Sequence, residues 1–96
     1  MKWLIILAFL TPAHAHMANS GWEYSSDCCS EKDCKVLSTN LVQATQYGWR
    51  LVWRNEMIPF GDTRIRKSQD TEFHLCTVNG RMDTPLRCLY VPNMGG

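Results

Sequence analysis

The sequence predicts a small disulfide-stapled β-rich (α+β) domain: an antiparallel sheet of three to five strands with a short N-terminal helical turn. Three observations point there. Five cysteines, Cys28, Cys29, Cys34, Cys76 and Cys88, crowd a chain of 96 residues. Apolar and polar side chains alternate after Gly48, and Asn79-Gly80 stands between two runs rich in strand formers.

The chain opens MKWLIILAFL, and the first element is an export signal over residues 1–15. Lys2 supplies the positive start, Trp3 to Leu10 the apolar stretch, Pro12 a helix break, and Ala13-His14-Ala15 the small side chains of a cleavage site. Eight apolar residues are too few to cross a bilayer core of about 30 Å, which takes roughly 20 in a helix. Cleavage leaves one domain, residues 16–96, beginning at His16. Loss of Lys2 takes the formal charge from +1 to zero, which disfavours nucleic acid or an anionic membrane as the partner. A core this small supplies only a few kcal/mol on its own. Staples are therefore expected.

Residues 16–26, HMANSGWEYSS, read as a polar arm carrying Trp22 and Tyr24, loose if nothing ties it down. In DCCSEKDC, Asp27 is a candidate N-cap, and Glu31 and Lys32 favour one or two helical turns. From Gly48, Trp49, Leu51 and Trp53 fall on one face of a predicted strand, with Arg50, Val52 and Arg54 on the other. Asn55-Glu56 reads as a turn into Met57-Ile58-Pro59-Phe60, where Pro59 restricts the run to a sheet edge. GDTRIRKSQD is a charged loop with room for a short strand through Ile65. Phe73 to Val78 forms the next strand, and Asn79-Gly80 favours a type I′ turn because both positions need positive φ. The last strand starts at Leu86, since Pro85 has no ladder N–H, and places Leu86, Cys88 and Tyr90 on one face.

An exported chain meets an oxidising compartment, so the cysteines read as two bridges with one cysteine left over. A Cys28–Cys29 bridge is disfavoured, because adjacent Cα atoms lie about 3.8 Å apart, below the usual disulfide range of about 4.4–6.8 Å. The frame expected ties the 28–34 cluster to Cys76 and Cys88, with Cys28 or Cys29 and Cys34 as partners; the left-over cysteine stays open between the two neighbours. A left-over thiol can pair between chains or exchange bridges, but the chain lacks C-x-x-C, and an inert buried thiol is the plainer reading. The cysteine spacing also lacks the paired arms of a tetrahedral zinc site.

If the mature chain begins at His16, its α-amine and imidazole can chelate Cu(II), and His74 in FHLC is the histidine available to complete the nitrogen set. The alternation with Phe73 and Leu75 turns His74 away from the face those two bury. Arg64, Arg66 and Lys67 offer a cationic stretch for an acidic partner or a phosphate, unless Asp62 and Asp70 neutralise it as an ordinary solvated loop. The chain carries no G-x-S-x-G, P-loop or H-E-x-x-H pattern, and its carboxylates form no recognisable acid–base pair.

The run Trp22-x-Tyr24, then Asp27-Cys28-Cys29-Ser30-x-x-Asp33-Cys34, followed downstream by I-P-F, R-x-R, S-x-D, F-H-x-C and C-L-Y-V-P, resembles a group of small exported, mostly uncharacterised cysteine-rich proteins of proteobacteria and their phages. The resemblance spans nearly the whole mature domain. It implies a periplasmic or secreted protein and attaches no activity.

Three functional readings follow. The first is a monomeric, exported, disulfide-stabilised binding protein without catalytic activity, whose ligand is an unidentified protein or small molecule. The second is a copper-binding protein using His16 and His74. The third is a secreted or phage-encoded effector that blocks a partner protein through Trp22, Arg64, Arg66 and Lys67.

Overall fold

The structure, a computed structural model, describes residues 17–29 and 33–92. The expected signal segment 1–15, His16 and part of the expected helical stretch lie outside the described residues. Seven short strands are present: β1 (Cys34–Leu37), β2 (Val42–Ala44), β3 (Gly48–Leu51), β4 (Glu56–Pro59), β5 (Ile65–Lys67), β6 (Phe73–Thr77) and β7 (Leu86–Val91). They form a four-stranded sheet in the order β1-β6-β7-β5 and a three-stranded sheet in the order β2-β3-β4. The domain is thus small, β-rich and disulfide-stapled as expected, but with two sheets. All pairings are antiparallel except β5–β7, which is parallel. The only helical elements among the described residues are 3₁₀ turns, at Thr39–Leu41, Val52–Arg54 and Val78–Gly80.

Three layers result. Leu37, Leu75, Leu89 and Val91 of the large sheet pack with Val42, Leu51 and Ile58 of the small one, forming one apolar cluster. On the opposite face of the large sheet, Cys34, Cys76, Cys88 and Tyr90 pack beneath Ala18, Tyr24, Cys28 and Cys29 of the N-terminal arm. Strands buried on both faces lose the simple alternation of a half-solvated sheet. This is why β6 is buried at four consecutive positions, His74 to Thr77. Truncating Leu75 or Leu89, both wholly buried, to Ala would cost about 2–5 kcal/mol.

Three expected details change. Trp53 leaves the strand, because β3 ends at Leu51 and the chain tightens into the Val52–Arg54 turn closed by Asn55 at φ +48°. Asn tolerates this left-handed conformation better than most residues. The Trp53 indole instead donates to the Met82 carbonyl at 2.8 Å, stitching the small sheet to the β6–β7 connection. Leu86 parts from Cys88 and Tyr90 because the β6–β7 register slips between Cys76 and Thr77. The slip leaves Arg87 as the extra residue and sends Leu86 into the inter-sheet cluster. Asn79 and Gly80 do take positive φ, +62° and +72°, but within a wider connection closed by Val78 N–H to the Pro85 carbonyl.

Gly48 is required where β3 crosses β4. A Cβ there would meet the Ile58 carbonyl oxygen at 2.2 Å, so any side chain would push β4 away. Pro59 closes β4, which lies at a sheet edge as expected.

Candidate functional site

Cysteines set the frame of the site. Cys34 and Cys76 face each other across β1 and β6, and Cys76 and Cys88 across β6 and β7, so three cysteines form one row across the large sheet. The bridges are Cys34–Cys76 and Cys28–Cys88, and the buried Cys29 lies outside both. Cys28, by its bridge to β7, fastens the arm over the sheet.

The arm is ordered by its own backbone. Ala18 N–H donates to the Trp22 carbonyl and Gly21 N–H to the Ala18 carbonyl, a tight turn in which Gly21 takes φ +100°. That turn delivers Trp22 and Tyr24 to the outer face of β6. There the Tyr24 hydroxyl lies 2.7 Å from His74 Nδ1. His74 Nε2 lies 2.9 Å from Asp70 Oδ1. Asp70 also accepts from Ser20 Oγ at 2.6 Å, Trp22 Nε1 at 2.8 Å, Ser68 Oγ at 2.9 Å and the Glu72 N–H at 2.8 Å. The Trp22 ring meets Tyr24, His74 and Tyr90 edge-on at centroid distances of 5.0, 5.0 and 5.2 Å. Such contacts are worth about 0.5–1.5 kcal/mol each beyond the area they bury.

The electrostatics assign the protons. Burial, reinforced by the nearby Cys29 and Asp70, pushes the Tyr24 phenol up to about 12, so Tyr24 keeps its proton. Because a carboxylate at Asp70 can only accept, Nδ1 of the neutral imidazole is left as the acceptor for the Tyr24 hydroxyl. Nε2 then carries the imidazole hydrogen and donates to Asp70. Burial would raise the Asp70 carboxyl, but hydrogen bonds from Ser20, His74, Trp22 and the Glu72 backbone outweigh it and hold Asp70 well below the usual carboxylate range. Tyr90 is likewise raised by burial, partly offset by the Ser25 N–H donating to its hydroxyl.

The predicted site residues can now be placed. His74 does face away from Leu75, but into a second buried layer, with no exposed surface. Both ring nitrogens are engaged, so a metal at His74 would have to displace Tyr24 or Asp70. Among the described residues, no three His, Cys, Asp or Glu side chains gather as a metal-holding group; His16 lies outside them. Trp22 is not a free partner-binding side chain, because its indole anchors the arm to Asp70. Arg64 is neutralised by Asp62 at 2.7 Å, which lowers the Asp62 carboxyl to about 2. Arg66 is neutralised by Asp27 at 2.6 Å, not by Asp70. Asp27, expected as an N-cap, spends its carboxylate on Arg66 and Ser25. Lys67 stays exposed at the end of β5.

Asp70, Tyr24, Ser20 and Ser68 are the participants that spacing and charge did not single out. For Tyr24, Ser68 and Asp70 the signal lay in W-x-Y, S-x-D and F-H-x-C, the first some fifty residues before the other two, which adjoin. All three meet at the His74 imidazole, and Ser20 lies outside them.

Elsewhere the surface carries large apolar side chains. Tyr47 is 68% exposed and Phe60 50%, both beside the β3–β4 pairing of the small sheet, and Phe60 meets Trp49 edge-on at 5.9 Å. No helix among the described residues is long and apolar enough to cross a membrane.

Fold and site together define a small cystine-stapled β protein whose N-terminal arm is locked over its larger sheet by an aromatic and histidine–aspartate clasp. Compared with protein-family models, curated proteins and solved structures, the chain matches none of them.

Proposed function

We propose that this chain is an exported, non-catalytic binding domain that works outside the cytoplasm after loss of residues 1–15 and engages a protein partner through its smaller sheet. One observation carries the reading. The groups best suited to chemistry, His74, Asp70 and Tyr24, are spent on one another in holding the arm, while Tyr47, Phe60 and Met57 stand exposed beside β3 and β4. Tyrosine, other aromatics and methionine are enriched in protein interfaces and in their energetic centres. Two cystines in a chain this short suit an oxidising compartment.

The test is to express the chain through its own leader with a photo-crosslinking residue at position 60. The expected result is a discrete cross-linked partner in the exported fraction, lost in Tyr47→Ala, whose two bridges and thermal midpoint should be unchanged. Absence of any discrete cross-link, or an identical one in Tyr47→Ala, would sink the reading. The mass of the exported chain reports the cleavage point independently.

A further inference from the structure

All six arginines of the chain lie among the described residues, and five of them own a carboxylate. Arg54 pairs with Glu56, Arg64 with Asp62, Arg66 with Asp27, Arg81 with Asp83 and Arg87 with Asp33. Arg50 differs. Its Nε and Nη2 donate to Asn55 Oδ1 at 3.1 and 3.0 Å, and its Nη1 to Gln43 Oε1 at 3.3 Å. Amide oxygens orient a guanidinium without neutralising it, so Arg50 is held in position with its charge uncompensated.

We infer that Arg50 is the anchor of the partner-docking surface and that it takes a side-chain carboxylate, Asp or Glu, from an extended segment of a protein partner. This rests on the binding-domain reading and names the chemistry of the partner. Arg50 lies in the middle strand of the small sheet, opposite Gln43 on β2 and Met57 on β4, so the three form one row across a face. Met57 is exposed, and the Thr45 hydroxyl, 3.5 Å from Met57 Sδ, also accepts the backbone N–H of Tyr47 at 3.1 Å. A fixed guanidinium in register with an exposed Met pairs two residue types enriched in interfaces. It carries specificity because a carboxylate can approach in a planar, two-bond geometry. Arg50 is the one cation in the Gln43–Arg50–Met57 row, whereas phosphate recognition ordinarily gathers several donors and charges, so the occupant is a carboxylate.

Asn55 gains a purpose from the same geometry. It closes the Val52–Arg54 turn at positive φ, a position Gly would fill with less strain, but Gly would lack the oxygen that holds Arg50.

The test is a titration of the isotope-labelled exported chain followed by NMR. The probes are acetyl-Val-Glu-Leu-Glu-Val-amide, the same peptide with Gln for Glu, and inorganic phosphate. The Glu peptide should move the Arg50 Nε, Asn55 and Gln43 side-chain amide and Met57 methyl resonances in a saturable way. The Gln peptide and Arg50→Gln should each weaken that binding at least tenfold, and Asn55→Gly, which keeps the turn, several-fold. Unchanged binding to Arg50→Gln, shifts confined to another surface, no saturable shift at all, or equal shifts from phosphate would each overturn the inference. The cross-link at position 60 decides the binding-domain reading separately, since it needs no knowledge of what Arg50 holds.

Discussion

The Tyr24 hydroxyl and His74 Nδ1 lie 2.7 Å apart across fifty residues of sequence, and this contact closes the N-terminal arm onto the large sheet. Because both groups are buried, the bond matters less for its own strength than for what its loss exposes. A buried acceptor left without a donor costs about 1–3 kcal/mol.

Tyr24→Phe keeps the ring and removes the donor, so it is expected to destabilise the protein by about 1–3 kcal/mol. Asp70→Asn strikes harder, because one carboxylate collects Ser20, Trp22, Ser68, His74 and the Glu72 N–H. Breaking a charge-assisted cluster of that kind costs about 3–5 kcal/mol. Urea unfolding under oxidising conditions measures both. Equal midpoints for Tyr24→Phe and the parent would mean that the Tyr24–His74 bond contributes nothing to closure.

The same groups set two limbs of the pH dependence. Asp70 has a folded pKa below its unfolded value, so its contribution is complete above about pH 4 and is lost as pH falls through the folded value. Tyr24 is the reverse case: it is raised from 10.0 to about 12, the folded state holds the proton more tightly, and stability falls between pH 10 and 12. Asp70→Asn should flatten the acid limb and Tyr24→Phe the alkaline limb. Ultraviolet titration of tyrosinate should show the latest-ionising tyrosine missing in Tyr24→Phe.

The contrast between what was legible and what was not follows from range. Pro59 marked the β4 edge and Asn79-Gly80 marked positive φ because one or two residues decide those features locally. Trp53 was misplaced because alternation cannot reveal a chain that leaves the strand after Leu51, and Leu86 because a register slip opposite Arg87 leaves no mark in composition. His74 was placed on the correct side of β6, yet its surroundings depend on an arm fifty residues earlier. The Asp62–Arg64 pair, two residues apart, was legible as the alternative to a partner site at Arg64. The Asp27–Arg66 pair, thirty-nine residues apart, was not.

The bridges give a third prediction. Cys28–Cys88 spans 60 residues, for which loop-closure entropy is worth about 4 kcal/mol. The bridge also fixes the arm beside Tyr24. Cys28→Ser should therefore lose about that much, while Cys29→Ala should keep both bridges and most of the stability. Peptide mapping without reduction should recover Cys28–Cys88 and Cys34–Cys76. One thiol should react with maleimide only after denaturant is added. A native chain that labels at once, or peptides joining Cys29 to Cys88, would overturn the assignment.

The last prediction concerns copper and the partner expected of His16. His74 Nδ1 accepts from Tyr24, and Nε2 donates to a carboxylate that four other donors also hold. For Cu(II) to bind His74, it must break one of these bonds and enter a layer with no exposed imidazole surface. Planar nitrogen ligation would have to outweigh that loss. The expected outcome is that Cu(II), added to a chain beginning at His16, leaves the His74 ring and Tyr24 hydroxyl resonances where they were. His74→Gln should lower the unfolding midpoint by the same amount with and without the metal. Acetylating the α-amine separates the two ends of the question: copper retained only with a free amine belongs to the N-terminus alone, whereas a copper-dependent loss of the Tyr24–His74 resonances would place the metal inside the clasp.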